Sequence, residues 1–198
     1  MLKKDALTDA PASPQNARII YSSRTGNTRA VAEHLAERFG LSAVNAKVEL
    51  AARKDELKNG STPQGDAAGN DSDILLLGMW AWRGGPNPTM RTFMRGLRGR
   101  RVFLFGTMAA WPDSPHAQDC LDCARALLDE GGNALLGHFF CQGRLDPKLK
   151  GKGHHPLTPE RAKRLEEAEH HPDHTDLLNA ESSARSALTG HLDQFATA

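Results

Sequence analysis

Long apolar runs are missing from this chain of 198 residues. No stretch reaches the roughly eighteen apolar positions a membrane-spanning helix needs, so no membrane insertion is expected. Lys3 and Lys4 have no apolar segment behind them, which argues against a secretory signal. Cysteine is scarce: three residues, an odd number, fit a reducing compartment better than a disulfide framework. A charge of one sign is lacking as well. The formal net charge is +1, so no whole-protein field points to nucleic acid or a membrane surface. Several catalytic signatures are also absent. There is no Gly-x-x-x-x-Gly-Lys-Ser/Thr loop and no Gly-x-Gly-x-x-Gly fingerprint. No Ser-His-Asp arrangement emerges from spacing, and Gly106-Thr107-Met108-Ala109 has no nucleophile-elbow serine. What remains is an ordinary cytoplasmic protein, long enough for one domain with a full core.

What is present is a hydroxyl-rich turn, Ser22-Ser23-Arg24-Thr25-Gly26-Asn27-Thr28, set between a short apolar strand ending at Tyr21 and an amphipathic segment. Such a turn makes a phosphate cradle. Backbone N–H groups at a helix start lack intrahelical acceptors, and the helix dipole adds partial positive charge there. Ser22, Ser23, Thr25 and Thr28 add hydroxyls, and Gly26 permits a close approach or a positive φ.

Downstream, strand and helix alternate. Val31, Leu35 and Phe39, flanked by Ala32 and Ala36, predict a helix over 28–39, closed by Gly40. Alternation over 42–48 predicts a second strand with Val44, Ala46 and Val48 on one face. Residues 49–71 carry the weakest pattern, a short helix over 51–57 and then loop. The run Ile74-Leu75-Leu76-Leu77 reads as a central parallel strand, buried on both faces. A loop over 79–88, a helix over 89–97, a strand over 102–106, a loop over 107–115, a helix over 115–130 and a strand over 134–141 follow. Five strands alternating with helices predict an α/β fold with a parallel sheet covered on both faces. Length and the single phosphate turn favour the strand order 2-1-3-4-5 over a six-stranded dinucleotide fold.

Residues 142–157 form a long basic connection with Arg144, Lys148, Lys150 and Lys152. Thr158 followed by Pro159 starts a helix running to about Ala168. Pro172 interrupts, and Asp173 can cap a last helix bearing Leu177, Leu178, Ala184 and Leu188. The expected organisation is a disordered lead-in over 1–16 and one domain over 17–196, with a C-terminal helical extension from about residue 158.

In the 2-1-3-4-5 order, ligands bind between strands one and three, beyond the carboxyl ends. Ser23-x-Thr25-Gly26-x-Thr28 resembles the flavodoxin phosphate loop, Ser/Thr-x-Thr-Gly-x-Thr. Gly78-x-x-x-Trp82 resembles the flavodoxin segment whose tryptophan flanks the flavin, and Trp111 lies one position from the family's usual tyrosine after strand four. The resemblance covers roughly residues 17–142. It implies a flavodoxin-like three-layer sandwich, FMN as cofactor and electron transfer to a protein redox partner. The site residues it implies are Ser22, Ser23, Arg24, Thr25, Gly26, Asn27 and Thr28 around the phosphate. For the ring they are Gly78, Met79, Trp80, Ala81, Trp82, Arg83, Gly84 and Gly85, with Thr107, Met108, Ala109, Trp111 and Asp113. Trp82 and Trp111 are the expected stackers. Family members are generally acidic near the flavin, whereas Arg24 and Arg83 sit in these loops, which implies a less negative potential for the reduced ring.

Two rivals stay open: an NAD(P)H-dependent flavin or quinone reductase on the same fold, with the basic loop adding a pocket, and a flavin-free anion-binding module. Cys120-Leu121-Asp122-Cys123 falls inside a predicted helix rather than at its start, so it reads as two ordinary helix cysteines. Cys141 reads as a small buried residue. His154, His155, His170, His171 and His174 flank proline breaks and read as exposed histidines, with no metal expected.

Overall fold

A computed structural model describes residues 17–58, 74–149 and 157–195. The expected lead-in over 1–16, most of the loop before the third strand and part of the basic connection lie outside those residues. Five strands form one parallel sheet: β1 (Ala17–Tyr21), β2 (Ala43–Asn45), β3 (Ile74–Trp80), β4 (Arg101–Met108) and β5 (Ala134–Gln142). Their order is β2-β1-β3-β4-β5, as the alternation predicts. The helices are α1 (Asn27–Phe39), α2 (Ala46–Lys58), α3 (Pro88–Arg95), α4 (Pro115–Asp129), α5 (Pro159–Ala168) and α6 (His174–Phe195).

The pleat of β3 sorts the core into two layers. Leu75, Leu77 and Met79 face α3 and α4, against Met90, Phe93, Met94, Leu121 and Leu128. Ile74 and Leu76 face α1 and α6, against Val31, Leu35, Phe39, Ala180, Ala184 and Leu188. The sheet is covered on both faces because each strand is apolar on both. Gly78 allows the layers to close: a Cβ there would lie 2.4 Å from the Phe105 ring and 2.8 Å from Tyr21 Cβ.

Two sequence expectations need correction. The second strand is three residues long, not seven, and the following helix spans thirteen residues rather than a short 51–57. The Asn45 side chain accepts a hydrogen bond from the Lys47 N–H at 3.0 Å, which is an N-capping bond. That cap turns residues 46–48 into helix, so Ala46 is buried while Val48 is 62% exposed. A strand would have buried both. The expected broken helix pair also does different work in its two halves. Helix α6 alone packs on β5 and α1. Helix α5 instead lies near the carboxyl end of the sheet, where Gln142 donates to the Arg164 carbonyl at 3.4 Å.

Helix ends follow local chemistry. Gly40 takes φ 64° and closes α1 through N–H bonds to Ala36 and Glu37. Thr158 accepts from the Arg161 N–H as N-cap of α5. Asp173 and Asp176 cap α6 reciprocally, each carboxylate accepting from the other's backbone N–H at 2.9 Å. His171 completes this cluster through Nδ1 and Asp176 Oδ2. His171, Asp173 and Asp176 stand close enough to suggest a metal, but the capping bonds account for both carboxylates. Among the described residues, no helix is long and apolar enough to cross a membrane.

Candidate functional site

Strands β3 and β4 continue past the expected ends because their pairing continues: Met79 sits opposite Gly106 and Trp80 opposite Thr107. Trp80, Thr107 and Met108 are therefore strand residues held in register rather than loop residues. Beyond them, Trp82-Arg83-Gly84-Gly85 folds into a two-residue hairpin. The Trp82 N–H donates to the Gly85 carbonyl at 2.8 Å, and the Gly85 N–H donates back at 3.2 Å. Arg83 (φ 51°) and Gly84 (φ 75°) are both left-handed, as a type I′ turn demands. This hairpin brings the Trp82 ring to 5.5 Å from Trp80 at an interplanar angle of 70°. The Arg24 guanidinium lies 5.8 Å from the Trp80 ring centroid, and that of Arg83 lies 5.4 Å from Trp82.

The turn before α1 has an open anion cradle. Gly26 is the N-cap, in left-handed conformation at φ 95°, and no side chain caps the helix. The Ser23 hydroxyl accepts from the Gly26 N–H at 3.2 Å instead, so it shapes the turn. The first-turn N–H groups of α1 are left to a ligand.

Four polar side chains, Thr28, Thr107, Asn87 and Ser22, are braces. Thr28 is buried and shares a 2.8 Å hydrogen bond with the Thr107 hydroxyl. Asn87, at the start of α3, donates to the Ser22 hydroxyl at 2.8 Å and accepts from the Trp80 N–H at 3.3 Å. The loops after β1, β3 and β4 are thereby tied together beneath the site. Asn87 escaped sequence reasoning; its only signal was its place between two prolines before a helix.

A cavity of about 480 Å³ opens above these braces. Of the expected site residues, Arg24, Thr25, Asn27, Trp80, Ala81, Trp82, Thr107, Met108 and Ala109 line it. Ser22, Ser23, Trp80 and Trp82 also line an adjoining groove. Ser22, Thr28, Gly85 and Met79 are buried beneath it. Ser22 and Ser23 accept hydrogen bonds from Asn87 and the Gly26 N–H, so their O–H groups can still donate; Thr28 is tied to Thr107, and Thr25 lines the cavity itself.

The largest departure concerns Trp111. Its indole N–H donates to Glu167 of α5 at 2.7 Å, and the Arg164 guanidinium lies 5.9 Å from its ring. Trp111 is absent from the cavity lining, and that side of the cavity is lined by residues from the segments after β5. Asp113 is exposed beside it.

These residues form a second wall made of the strap over 143–149 and α5. Arg144, Asp146 and Leu149 come from the strap, and Arg161, Arg164 and Leu165 from α5. The strap leaves β4 through the Gly143 N–H, which donates to the Met108 carbonyl at 2.8 Å, and three further contacts fasten it. Arg24 Nε meets Asp146 Oδ2 at 2.7 Å, the Asn27 amide donates to the Arg144 carbonyl at 2.8 Å, and the Arg144 N–H donates to the His171 carbonyl at 3.3 Å. Close contact between Gly143 and Asn27 leaves no room for a side chain: a Cβ at Gly143 would lie 2.7 Å from Asn27 Nδ2. The Lys148 N–H, working against partial burial and with help from the Arg24 guanidinium, holds the Asp146 carboxyl below its usual range. His116 also reaches the lining from α4. The length and basic character of 142–157 signalled this wall in part; nothing in the sequence placed α5 over the cavity.

The other cysteines and histidines stand apart from the chemistry. Burial, with smaller contributions from Cys123 and Asp119, pushes the Cys120 thiol up to about 11, and burial raises that of Cys141 as well. Both remain protonated thiols near neutral pH.

A five-stranded parallel sheet with an uncapped phosphate turn at its switch point defines an α/β protein of the open, doubly wound class. The flavodoxin domain model matches residues 18–185, and the chain belongs to that family. It is 24% identical over 182 residues to the flavodoxin-like domain-containing protein BilS of Clostridioides difficile, covering 86% of this chain and 94% of that one. A flavodoxin of Maridesulfovibrio salexigens is 29% identical over 129 residues, covering 60% of this chain and 80% of its own. Among solved structures, the flavodoxin-type, WrbA-like protein of Agrobacterium tumefaciens superposes with TM-score 0.50 at 17% identity, covering 88% of this chain and 98% of its own. That likeness concerns the fold alone.

Proposed function

We propose that this protein binds FMN in the cavity and carries electrons to a protein redox partner. The observation that carries the reading is the convergence of two features on one cavity. The uncapped turn before α1 and the Trp80–Trp82 pair both open onto it. A volume of about 480 Å³ lies within the range of roughly 300–1,000 Å³ usual for small-molecule and cofactor sites. The donor set suits a phosphate monoester carrying a flat aromatic group. Helix N–H groups, the Thr25 hydroxyl and the Arg24 and Arg144 charges meet the anion; Trp80 and Trp82 offer ring surface.

Bound FMN supplies a ring that takes up and releases electrons one or two at a time. The chain's own residues bind it, orient it and shield it from water. Arg161 and Arg164 bring positive charge into the wall, which favours a reduced, anionic ring. The test is the visible spectrum of the purified protein together with the flavin released on denaturation. Stoichiometric FMN supports the reading; a colourless protein that takes up no added FMN overturns it.

A second reading has one observation of its own. The strap and α5 cover the cavity with residues outside the phosphate and ring loops, as a small-molecule pocket would require. That favours an NAD(P)H-dependent flavin or quinone reductase. Steady-state NAD(P)H oxidation with a quinone distinguishes the two: sustained turnover selects the reductase, none selects the carrier.

A further inference from the structure

The formal charge of the whole chain is only +1, yet the charged residues that line the cavity and its two adjoining grooves are, Asp146 apart, all basic. Arg144, Arg161 and Arg164 line the cavity itself, Lys148 lines the groove over the strap, and Lys47 lines the groove beside Trp80 and Trp82. Arg24 borders all three. The single carboxylate among these described lining residues is Asp146, which Arg24 neutralises at 2.7 Å. A phosphate monoester adds about −2 charge at neutral pH. Set against Arg24, Lys47, Arg144, Lys148 and Arg164 on one side and Asp146 on the other, it leaves a surplus of roughly two positive charges at the mouth. Arg83, exposed beside Trp82, adds to that surplus.

Cofactor binding therefore does not account for the charge. Its placement indicates what does. Lys47, Arg83, Arg144 and Lys148 are exposed and stand on the outer rim, from the start of α2 through the hairpin to the strap. A small molecule inside the cavity would meet Arg144, Arg161 and Arg164, but not Lys47, Arg83 or Lys148. Charges on an exposed rim act on a body large enough to cover the mouth, and they act during approach, before contact. The same rim carries the half-exposed Trp80 and Trp82, and aromatic residues ringed by arginine are typical of protein docking surfaces. The basic groups surround a concave mouth rather than tracking along a helix or groove, which disfavours nucleic acid.

From this distribution we infer that the cavity mouth is the docking face for a redox protein with an acidic surface around its own electron-transfer edge. The inference rests on the carrier reading above and adds the chemistry of the partner. Electrostatic steering then sets the rate of encounter, and the partner's carboxylates take the place of bulk counter-ions around Lys47, Arg83, Arg144 and Lys148.

The experiment compares two haem proteins of opposite surface charge, acidic cytochrome b5 and basic cytochrome c, as acceptors from the photoreduced holoprotein in stopped flow. With cytochrome b5 the second-order rate constant should fall about tenfold as ionic strength rises from low to high. The Lys47→Glu/Lys148→Glu variant, saturated with FMN, should lose several-fold at low salt and approach the unsubstituted protein at high salt. With cytochrome c the rate should rise with salt. A cytochrome c rate that falls with salt, or a cytochrome b5 rate insensitive to salt and to the double variant, overturns the inference. Direct titration of cytochrome b5 into the protein as purified and after flavin loading separates the two levels. If the protein takes no flavin, the carrier reading fails, and salt-sensitive binding weakened by the double variant still supports the acidic-partner face. Absence of that binding, or tighter binding of a single-stranded oligonucleotide than of cytochrome b5, overturns it.

Discussion

The two walls of the cavity are held in different ways. The wall built from the ends of β1, β3 and β4 grows directly out of the core. Met79 is fully buried, Thr28 and Thr107 are buried against each other, and Asn87 locks Ser22 to Trp80. The wall built from the strap and α5 rests on polar contacts: Arg24 with Asp146, the buried Asn27 with the Arg144 carbonyl, the Gly143 N–H with the Met108 carbonyl, and Trp111 with Glu167. Core packing is cooperative and expensive to disturb, whereas exposed polar pairs contribute little net stability. One wall is therefore part of the fold's stability, and the other can shift without unfolding it.

The sharpest way to break that contrast is to attack the first wall where the layers are closest. Gly78→Ala places a methyl group 2.4 Å from the buried Phe105 ring and 2.8 Å from Tyr21 Cβ. Neither neighbour has room to retreat, so destabilisation of about 3 kcal/mol is expected. Urea unfolding measures it, and an unchanged midpoint would show that the sheet end is more plastic than its packing implies. Next comes Thr28→Val, which keeps the shape but leaves the buried Thr107 hydroxyl without its 2.8 Å partner. A loss of about 2 kcal/mol is expected by the same measurement, with weaker FMN retention because β4 and the phosphate turn lose their tie.

The corresponding cut in the second wall is Trp111→Phe, which removes the donor to Glu167 and retains the ring under Arg164. Glu167 is 38% exposed, so the global cost should stay below about 1 kcal/mol. Amide exchange should quicken in α5 and the strap and stay unchanged in β3 and β4. Exchange that quickened evenly across the molecule would erase the distinction between the walls.

The same contrast explains which parts could be read from the sequence. The strand order, the α1 boundaries, the phosphate turn and the paired tryptophans follow from local pattern, because periodicity reports burial and the turn's glycine and hydroxyls are contiguous. The second strand misled because Val44, Ala46 and Val48 alternate, while the Asn45 cap, a single side-chain hydrogen bond, chose helix. Trp111 is expected beside the ring from its place after strand four, one position from the family's usual tyrosine, but spacing does not report which way a side chain turns. Its direction is decided by Glu167, fifty-six positions away in sequence. Arg161 and Arg164 lie on a helix with an ordinary start signal, and only the tertiary path of the strap brings them to the cavity. Local chemistry marks what a segment becomes; it does not report which distant segment will lean on it.

The smallest expected effect on stability belongs to Asp146→Asn, and it tests whether the strap is a latch or merely a neighbour. The Asp146 carboxyl is held below its ordinary value of 3.8 by the Lys148 N–H, against partial burial, and by Arg24. A carboxyl depressed on folding contributes stability above its unfolded pKa, and that contribution disappears as pH falls through the folded value. The Arg24–Asp146 contact should therefore persist unchanged across the neutral and mildly acidic range and open only below about pH 4. At pH 7 the substitution removes a negative charge from the edge of the phosphate turn and frees Arg24 for the ligand. FMN should bind several-fold more tightly, and the effect should shrink at high salt, while the unfolding midpoint falls only slightly. Fluorescence titration with FMN measures the first two, and riboflavin, which lacks the phosphate, is the control that should show no gain. A gain shared by riboflavin would mean that the strap acts on the ring rather than on the anion. Unchanged FMN affinity would mean that Arg24 and Asp146 face each other away from the ligand, and the strap would then owe its position to its bonds with Asn27, Met108 and His171.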